Sequence, residues 1–461
     1  MTDLIRSDIS VNTENTDIND ISIHNNAHPV KDNIRHHTVL LGAGFAGIRC
    51  LDQLTKHSRD RVTLIDRNDY HFFPPLIYQV SAGFLAPSDI SYPLRKYISD
   101  YDQVFYRQGN LLSIDTKAKT ITLDTGTIHY DRLIIAIGAD TNYFGNNDIK
   151  AHALPMKTIN DALSIRNHML SQFNYAASLP VAEREPYLTI VIAGGGPSGV
   201  ELAGVMSEIR LNILQKEYPE LMGNVGGITL VTADSVLLPP MSELSQSYAQ
   251  SQMQDFKVEL VFSDPVEGYD GHEVRLKSGK ILYTHNLIWT AGVICRPIKG
   301  LNEADYGRGK RLLIDEHLAL VNYQDIYAIG DIALAMHQDG YQNGHPQLGQ
   351  VASAQGTYLG KFLTGKTDKP FTYHHSGDMA MIGRLTAVAD IKGRHLKGFI
   401  GWLSWVIIHI LALSTAKNRL ATTWNWMIAF FTGNQSFRMS IHHPYEDTPK
   451  SENKLDETLE N

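Results

Sequence analysis

Apolar residues in this chain come in short runs that end on glycine. Thr38-Val39-Leu40-Leu41 predicts a buried strand. It leads into Gly42-Ala43-Gly44-Phe45-Ala46-Gly47, and then into Ile48, Leu51 and Leu54 at helical spacing. A second strand, Arg61 to Ile65, ends on Asp66, which completes a βαβ unit. The same order recurs later. Leu188 to Ala193 reads as a strand, Gly194 to Gly199 as a glycine turn, the stretch from Glu201 as a long helix, and Ile228 to Thr232 as the next strand. Internal duplication of a dinucleotide fold is the simplest account. Three more strand-like runs close on Gly138, on Gly292 and on Gly330-Asp331.

Each glycine of the first turn has a physical reason. Gly42 permits the tight turn, Gly44 lets a pyrophosphate approach the backbone, and Gly47 lets helix and strand pack closely. The helix start offers free N–H groups and a positive dipole end to phosphates. Asp66 stands where a carboxylate accepts hydrogen bonds from ribose hydroxyls. Gly194, Gly196 and Gly199 repeat the pattern, so two dinucleotides are expected. Glu201 follows in the first helical turn, where a dipole-favoured surface acid and a carboxylate beside the redox centre are both open readings. The acid expected after the next strand is absent. Thr232 stands there, Asp234 comes two residues late, and no Arg or Lys is nearby in sequence, so NADH and NADPH both stay open.

Composition narrows the chemistry. At 461 residues the chain is long enough for two or three cored domains. A net charge of −8 argues against nucleic acid as a partner. The two cysteines, Cys50 and Cys295, lie far apart and form no CxxC or zinc spacing, which removes a disulfide scaffold and a dithiol relay. Buried packing is expected for both, and no metal site is expected. Residues 1–36 are polar and lack Phe, Trp and Tyr, as expected of a disordered leader; the acidic tail from Glu446 reads the same way.

Near the C-terminus the charge reverses. No Asp or Glu occurs between Asp390 and Glu446, whereas Lys392, Arg394, Lys397, Lys417, Arg419 and Arg438 do. Four of the 5 tryptophans, Trp402, Trp405, Trp424 and Trp426, fall in the same interval. Basic residues favour anionic lipid surfaces and tryptophan favours the interface. Gly398 to Ala416 carries no charge apart from what His409 adds. As one helix it would be roughly 30 Å long, just short of a bilayer core. Leu420, Trp424, Met427 and Phe431 share one face of a following amphipathic helix. Residues 392–438 are therefore expected to lie on a lipid surface, in one leaflet rather than across it; two buried core helices are the alternative.

Several segments carry a family resemblance. They are Val62 to Asn68, Tyr70-His71-Phe72-Phe73-Pro74-Pro75-Leu76-Ile77-Tyr78-Gln79-Val80, Pro87 to Ile90, Thr141 to Gly145, the turn Gly194 to Glu201, and Gly349-Gln350-Val351-Ala352. Between about residues 38 and 438 the chain closely resembles the type II NADH:quinone oxidoreductases, flavoproteins that do not pump protons. The resemblance implies an α/β fold with two Rossmann-type dinucleotide-binding domains, the second inserted in the first, plus a C-terminal amphipathic helical membrane-attachment region. The boundaries expected are 37–155 with 296–375 for FAD, 156–295 for NAD(P)H, 376–445 for membrane-associated helices, and 446–461 for the tail.

The resemblance further implies hydride transfer from NADH to FAD and two-electron reduction of a membrane quinone. Expected at the cofactors are Gly42, Gly44, Phe45, Ala46, Gly47, Asp66 and Arg67, Pro75, Tyr78 and Gln79 along the isoalloxazine, Gly138, Gly194, Gly196, Pro197, Gly199 and Gly292, and Gly330 with Asp331 at the ribityl chain. Glu201, Gln350 and Gln355 are the expected catalytic residues. The family's usual Ala-Gln-x-Ala-x-Gln-Gln-Gly stands here as Gly349-Gln350-Val351-Ala352-Ser353-Ala354-Gln355-Gly356, with Ala354 in place of a glutamine expected near the quinone. A homodimer at the cytoplasmic face of a membrane, peripheral or monotopic, is also implied. A soluble-acceptor NAD(P)H oxidase or diaphorase, a ferredoxin-type reductase, and a low-activity membrane flavoprotein that binds or senses remain the competing readings.

Overall fold

A computed structural model describes residues 36–432, apart from 59, 222, 224 and 225, together with residue 439. The leader, but for its last residue, and the acidic tail lie outside the described residues.

Two parallel five-stranded sheets organise the chain. The first has the order Ile326–Ala328, Arg132–Ile135, His37–Leu41, Arg61–Asp66, Val104–Gln108. The second has the order Leu154–Pro155, Asn286–Trp289, Ile190–Ala193, Ile228–Val231, Val258–Val261. The central strands are buried on both faces and read as unbroken apolar runs, as parallel sheets require. Chain order makes the second fold an insertion, because the strand Ile326–Ala328 returns to the first sheet after the second is complete. Each fold also carries a three-stranded antiparallel meander, Leu111–His129 in the first and Val266–Tyr283 in the second.

The helix Phe45–His57 lies against the helix Gly349–Leu363 at very short range. A Cβ on Gly356 would stand 2.1 Å from the Ala46 carbonyl oxygen, and one on Gly360 2.5 Å from the Gln53 Cβ. Only glycine permits this approach, which brings the later segment onto the first nucleotide turn.

The C-terminal region differs from expectation at its start. Residues 378–397 form a three-stranded antiparallel sheet, Asp378–Gly383, Thr386–Ile391 and Arg394–Lys397, before any helix begins. Two helices follow, Gly398–Ala412 and Ala416–Thr432. The uncharged stretch to Ala416 is thus not one helix: it breaks at Leu413–Thr415, where Leu413 leaves helical geometry. Among the described residues, no helix is long and apolar enough to cross a membrane.

The first helix is apolar on both sides, and the second inverts the usual amphipathic arrangement. The first turns Gly401, Trp405 and His409 inward and exposes Ile400, Leu403, Ile407 and Leu411. The second buries Asn418 and Thr422 while Leu420 and Trp424 stand 73% and 62% exposed. Its inner side is held by polar contacts to the segment after Pro87. The Asn418 amide donates to the Asp89 carbonyl at 2.8 Å, Thr422 to the same oxygen at 3.2 Å, and Asn425 to the Asp89 carboxylate at 2.8 Å.

Candidate active site

A cleft of about 1580 Å³ runs between the two nucleotide folds and under the C-terminal helices. One wall is the first glycine turn. Gly42 sits at φ +101°, where a Cβ would meet the Ala136 carbonyl at 2.3 Å, while a Cβ on Gly44 would meet nothing within 4 Å. That position is a bare backbone cradle at a helix N-terminus, suited to a pyrophosphate. Asp66 closes the same corner. Its carboxylate accepts from the Ala43 N–H at 2.7 Å and the Asn68 N–H at 2.8 Å. Burial pushes its pKa up and those N–H groups oppose the shift; each oxygen keeps a second lone pair for a ribose hydroxyl.

The cleft continues past Phe45, Ala46, Arg67, Pro75, Gly138, Gly330 and Asp331. Lys157 Nζ lies 3.7 Å from the Asp331 carboxylate, and the Gln347 amide donates to the Asp331 carbonyl at 3.0 Å. Gly47 is covered and packs helix against turn; its Cβ would stand 1.9 Å from the Gly42 carbonyl. The cradle, strand-end acid and cleft together fit FAD.

At the second turn, Gly194 is at φ +125° and Gly196 opens onto free space as Gly44 does. Pro197 and Glu201, on the helix Pro197–Glu208, line the cleft. Gly199 packs under its turn and Gly292 faces Phe144. Thr232 is buried beneath Gly195, and its hydroxyl accepts from the Asp234 N–H at 3.2 Å.

Glu201 is no surface acid. Burial raises its pKa to about 8, against a hydrogen bond from the Met381 N–H at 3.2 Å. The Trp405 indole lies beside the carboxyl and acts in the same direction as that bond, though its Nε1 makes no well-formed hydrogen bond. Both contacts come from the C-terminal sheet and helix. Gly204, one helical turn further on, lets the strand approach, since its Cβ would stand 1.8 Å from the Ile382 carbonyl.

Three expectations are corrected here. Gln355 does not face the cleft: it is fully buried, and its Oε1 accepts from the Gly330 N–H at 2.7 Å, bracing the loop that presents Asp331. Tyr78 and Gln79 do not run along it either. They are buried behind Glu201, with Gln79 Nε2 donating to the Tyr78 hydroxyl at 3.0 Å, that hydroxyl reaching Met381 Sδ at 3.1 Å, and Trp426 Nε1 donating to Gln79 Oε1 at 2.7 Å. Ala354 points to a separate surface hollow beside Tyr358 and Lys361, so the missing glutamine leaves the cleft wall unchanged.

Gln350 does line the cleft. Its amide donates to the Gly377 carbonyl at 3.1 Å and accepts from the Ser376 N–H at 3.2 Å.

Sequence reasoning named Phe45 but missed the rest of the far end of the cleft, where His71, Phe73, Ile408, His409, Ala412 and Ser414 meet it. His71 is buried with a pKa lowered to about 4 by burial. Its Nδ1 donates to the Ala43 carbonyl at 2.7 Å and its Nε2 accepts from the Ser414 hydroxyl at 2.9 Å. The neutral ring therefore ties the first glycine turn to the turn between the C-terminal helices. His71 stood within a quoted run, but nothing in its spacing pointed to a partner 343 residues away. Cys50 and Cys295 are both free and buried, and burial raises each thiol to about 12. Neither is a redox nucleophile.

Comparisons with known proteins bear on this geometry. The family described as pyridine nucleotide-disulphide oxidoreductase matches residues 36–356, and the NDH2 C-terminal domain matches residues 375–435. The chain is 32% identical over 425 residues to a type II NADH:quinone oxidoreductase of Mycobacterium tuberculosis, covering 88% of this chain and 89% of that protein. It is 30% identical over 377 residues to one from Staphylococcus haemolyticus, covering 79% and 92%. The structure of NDH2 from Plasmodium falciparum in complex with NADH has the same fold, with a TM-score of 0.80 at 21% identity over 88% of this chain and 100% of that one. A sulfide:quinone oxidoreductase from Aquifex aeolicus is more distant, at a TM-score of 0.65 and 16% identity over 88% of this chain and 96% of that one. With two dinucleotide folds, a shared cleft and an NDH2-type C-terminal region, the chain belongs to the type II NADH:quinone oxidoreductases of the pyridine nucleotide-disulphide oxidoreductase family.

Proposed function

We infer that the protein oxidises NADH at one end of this cleft and reduces a membrane quinone at the other, without pumping protons. The observation that carries the reading is Glu201, a buried carboxyl protonated at neutral pH, in the wall of a cleft that continues under outward-facing apolar helices. When bound, FAD accepts the hydride and passes two electrons on. The first glycine turn and Asp66 would hold its adenosine half, and Asp331 with Lys157 would serve the ribityl side. The second turn orients the nicotinamide nucleotide.

Glu201 holds a proton at its buried carboxyl in the wall of the cleft, which suits donation to a developing quinol oxygen. Gln350 gives that end a polar wall, whereas Gln355 acts only by bracing the Gly330 loop. The apolar mouth at Phe73, Ile408 and Ala412 suits an isoprenoid tail. Peripheral attachment in one leaflet is supported by the exposed Ile400, Leu411, Leu420 and Trp424, and the cytoplasmic face is the side proposed with it.

NADH rather than NADPH is favoured. Thr232 fills the space beneath the second turn, and the nearby exposed charge is the acid Asp234, which would repel a 2′-phosphate.

Stopped-flow measurement of flavin bleaching tests the whole reading. Bleaching by NADH well ahead of NADPH is expected, followed by re-oxidation faster with a soluble quinone than with oxygen. Fast bleaching with slow quinone re-oxidation would instead favour the oxidase or ferredoxin-type readings.

A further inference from the structure

We propose that His375 and Asp378 form a proton-entry pair for quinone reduction, relaying a solvent proton along the cleft wall beside Gln350. The proposal rests on the quinone-reducing reading above. Its chemical need follows from balance. NADH, one proton and a quinone give NAD⁺ and a quinol: the hydride brings both electrons and one proton, and the two quinone oxygens bind two protons. One proton per turnover therefore comes from the medium. Glu201 is buried, so a proton it gives up must be replaced through other groups.

His375 is the imidazole suited to that task. Its side chain is 38% exposed, and its Nε2 lies 3.0 Å from the Asp378 carboxylate. The Asp378 carboxylate can only accept, which places the hydrogen on Nε2 and leaves Nδ1 to accept from the Tyr373 hydroxyl at 3.0 Å. An imidazole takes up a proton at one nitrogen and releases one from the other, and a ring flip between turnovers restores the starting tautomer. Gln350 holds this corner through Gly377 and Ser376, with its amide 3.5 Å from His375 Nδ1.

Gln350, His375, Asp378 and Glu201 line one cleft. Asp378 also opens the strand whose Met381 N–H binds Glu201, and about 10 Å of strand backbone, at its usual rise per residue, separates those two positions. The titratable groups facing His375 are Asp378 and Tyr373, with Tyr341 behind Tyr373 at 5.7 Å between rings; Lys392 lies elsewhere on the cleft wall.

The holoenzyme is tested in its two half-reactions by stopped flow. His375→Ala and the polar variant His375→Gln should bleach with NADH within about twofold of the parent, and re-oxidise with a soluble quinone on the order of 100-fold more slowly. Millimolar imidazole should restore re-oxidation in His375→Ala and not in Asp378→Asn. Quenching of tryptophan fluorescence by a quinone analogue should keep its midpoint, because binding is not what is lost. Unchanged re-oxidation in both His375 variants would overturn the proposal. So would a loss that imidazole leaves untouched and that comes with weakened analogue binding, since that marks a structural role. A parent protein that bleaches with NADH but is not re-oxidised by quinone would overturn the quinone reading itself.

Discussion

Glu201 concentrates the chemistry at the scale of single residues. It enters at a helix start, where the dipole favours ionisation, yet burial raises its pKa to about 8 against the Met381 N–H and the Trp405 indole, which favour the charged form. As a proton donor it should serve below that value and fail as pH rises through it. Re-oxidation by quinone should therefore fall above about pH 8, and Glu201→Gln should lose that pH dependence along with most turnover while keeping its flavin. Linkage gives a second, independent sign. The folded pKa lies above the ordinary value of 4.5, so the stability contributed by the protonated form is full below about 4.5 and is lost as pH climbs to about 8. The difference amounts to roughly 5 kcal/mol. Thermal melts of Glu201→Gln should thus run above the parent at pH 8.5 and close to it at pH 4.5. A variant that melts in parallel with the parent across that range would mean the carboxyl is hydrated. Gln350 and Gln355 teach a related lesson. They stand five positions apart on one helix, but one meets the cleft and the other is consumed by the Gly330 N–H.

Elements meet in this protein through glycine. The helix Pro197–Glu208 touches the strand Asp378–Gly383 at Gly204, where a Cβ would overlap the Ile382 carbonyl. Gly204→Val should push that strand off, cost about 1–3 kcal/mol or more in a denaturant titration, and lower the Glu201 pKa by letting water in. Stability unchanged from the parent would refute the close contact. The two C-terminal helices show why the apolar pattern by itself misleads. Periodicity correctly gave the face with Leu420 and Trp424, but a soluble-protein rule would bury it. Here the polar face is inside, because Asn418, Thr422 and Asn425 find the Asp89 backbone and carboxylate. The sheet of residues 378–397 was illegible beforehand, since its strands are short and mix Met, Ala, Gly and charge.

For the whole molecule, a buried redox cleft opens toward an apolar outer surface. Replacing Leu411, Leu420 and Trp424 together with Glu should release the protein from anionic liposomes in a flotation assay while NADH bleaching persists. Retention on the liposomes would locate attachment elsewhere. Point changes are the right tool, because cutting the chain after Asp390 would remove His395, which bonds Ser245 and Asp390, and with it Trp405 beside Glu201.

By itself the sequence determined what depends on neighbours along the chain. Glycine turns need backbone freedom, buried parallel strands need continuous apolar runs, and Asp66 follows its strand by register, so the duplicated nucleotide folds and the first cradle could be read directly. Only the tertiary structure decided which side chains share the cleft. Glu201 is buried against residues some 180 and 200 positions later, and that burial, not their hydrogen-bonding groups, keeps it protonated; His71 meets Ser414, and Tyr78 with Gln79 turn away toward Trp426. Burial and partner choice set pKa and access, and both arise from contacts between elements that no local spacing encodes.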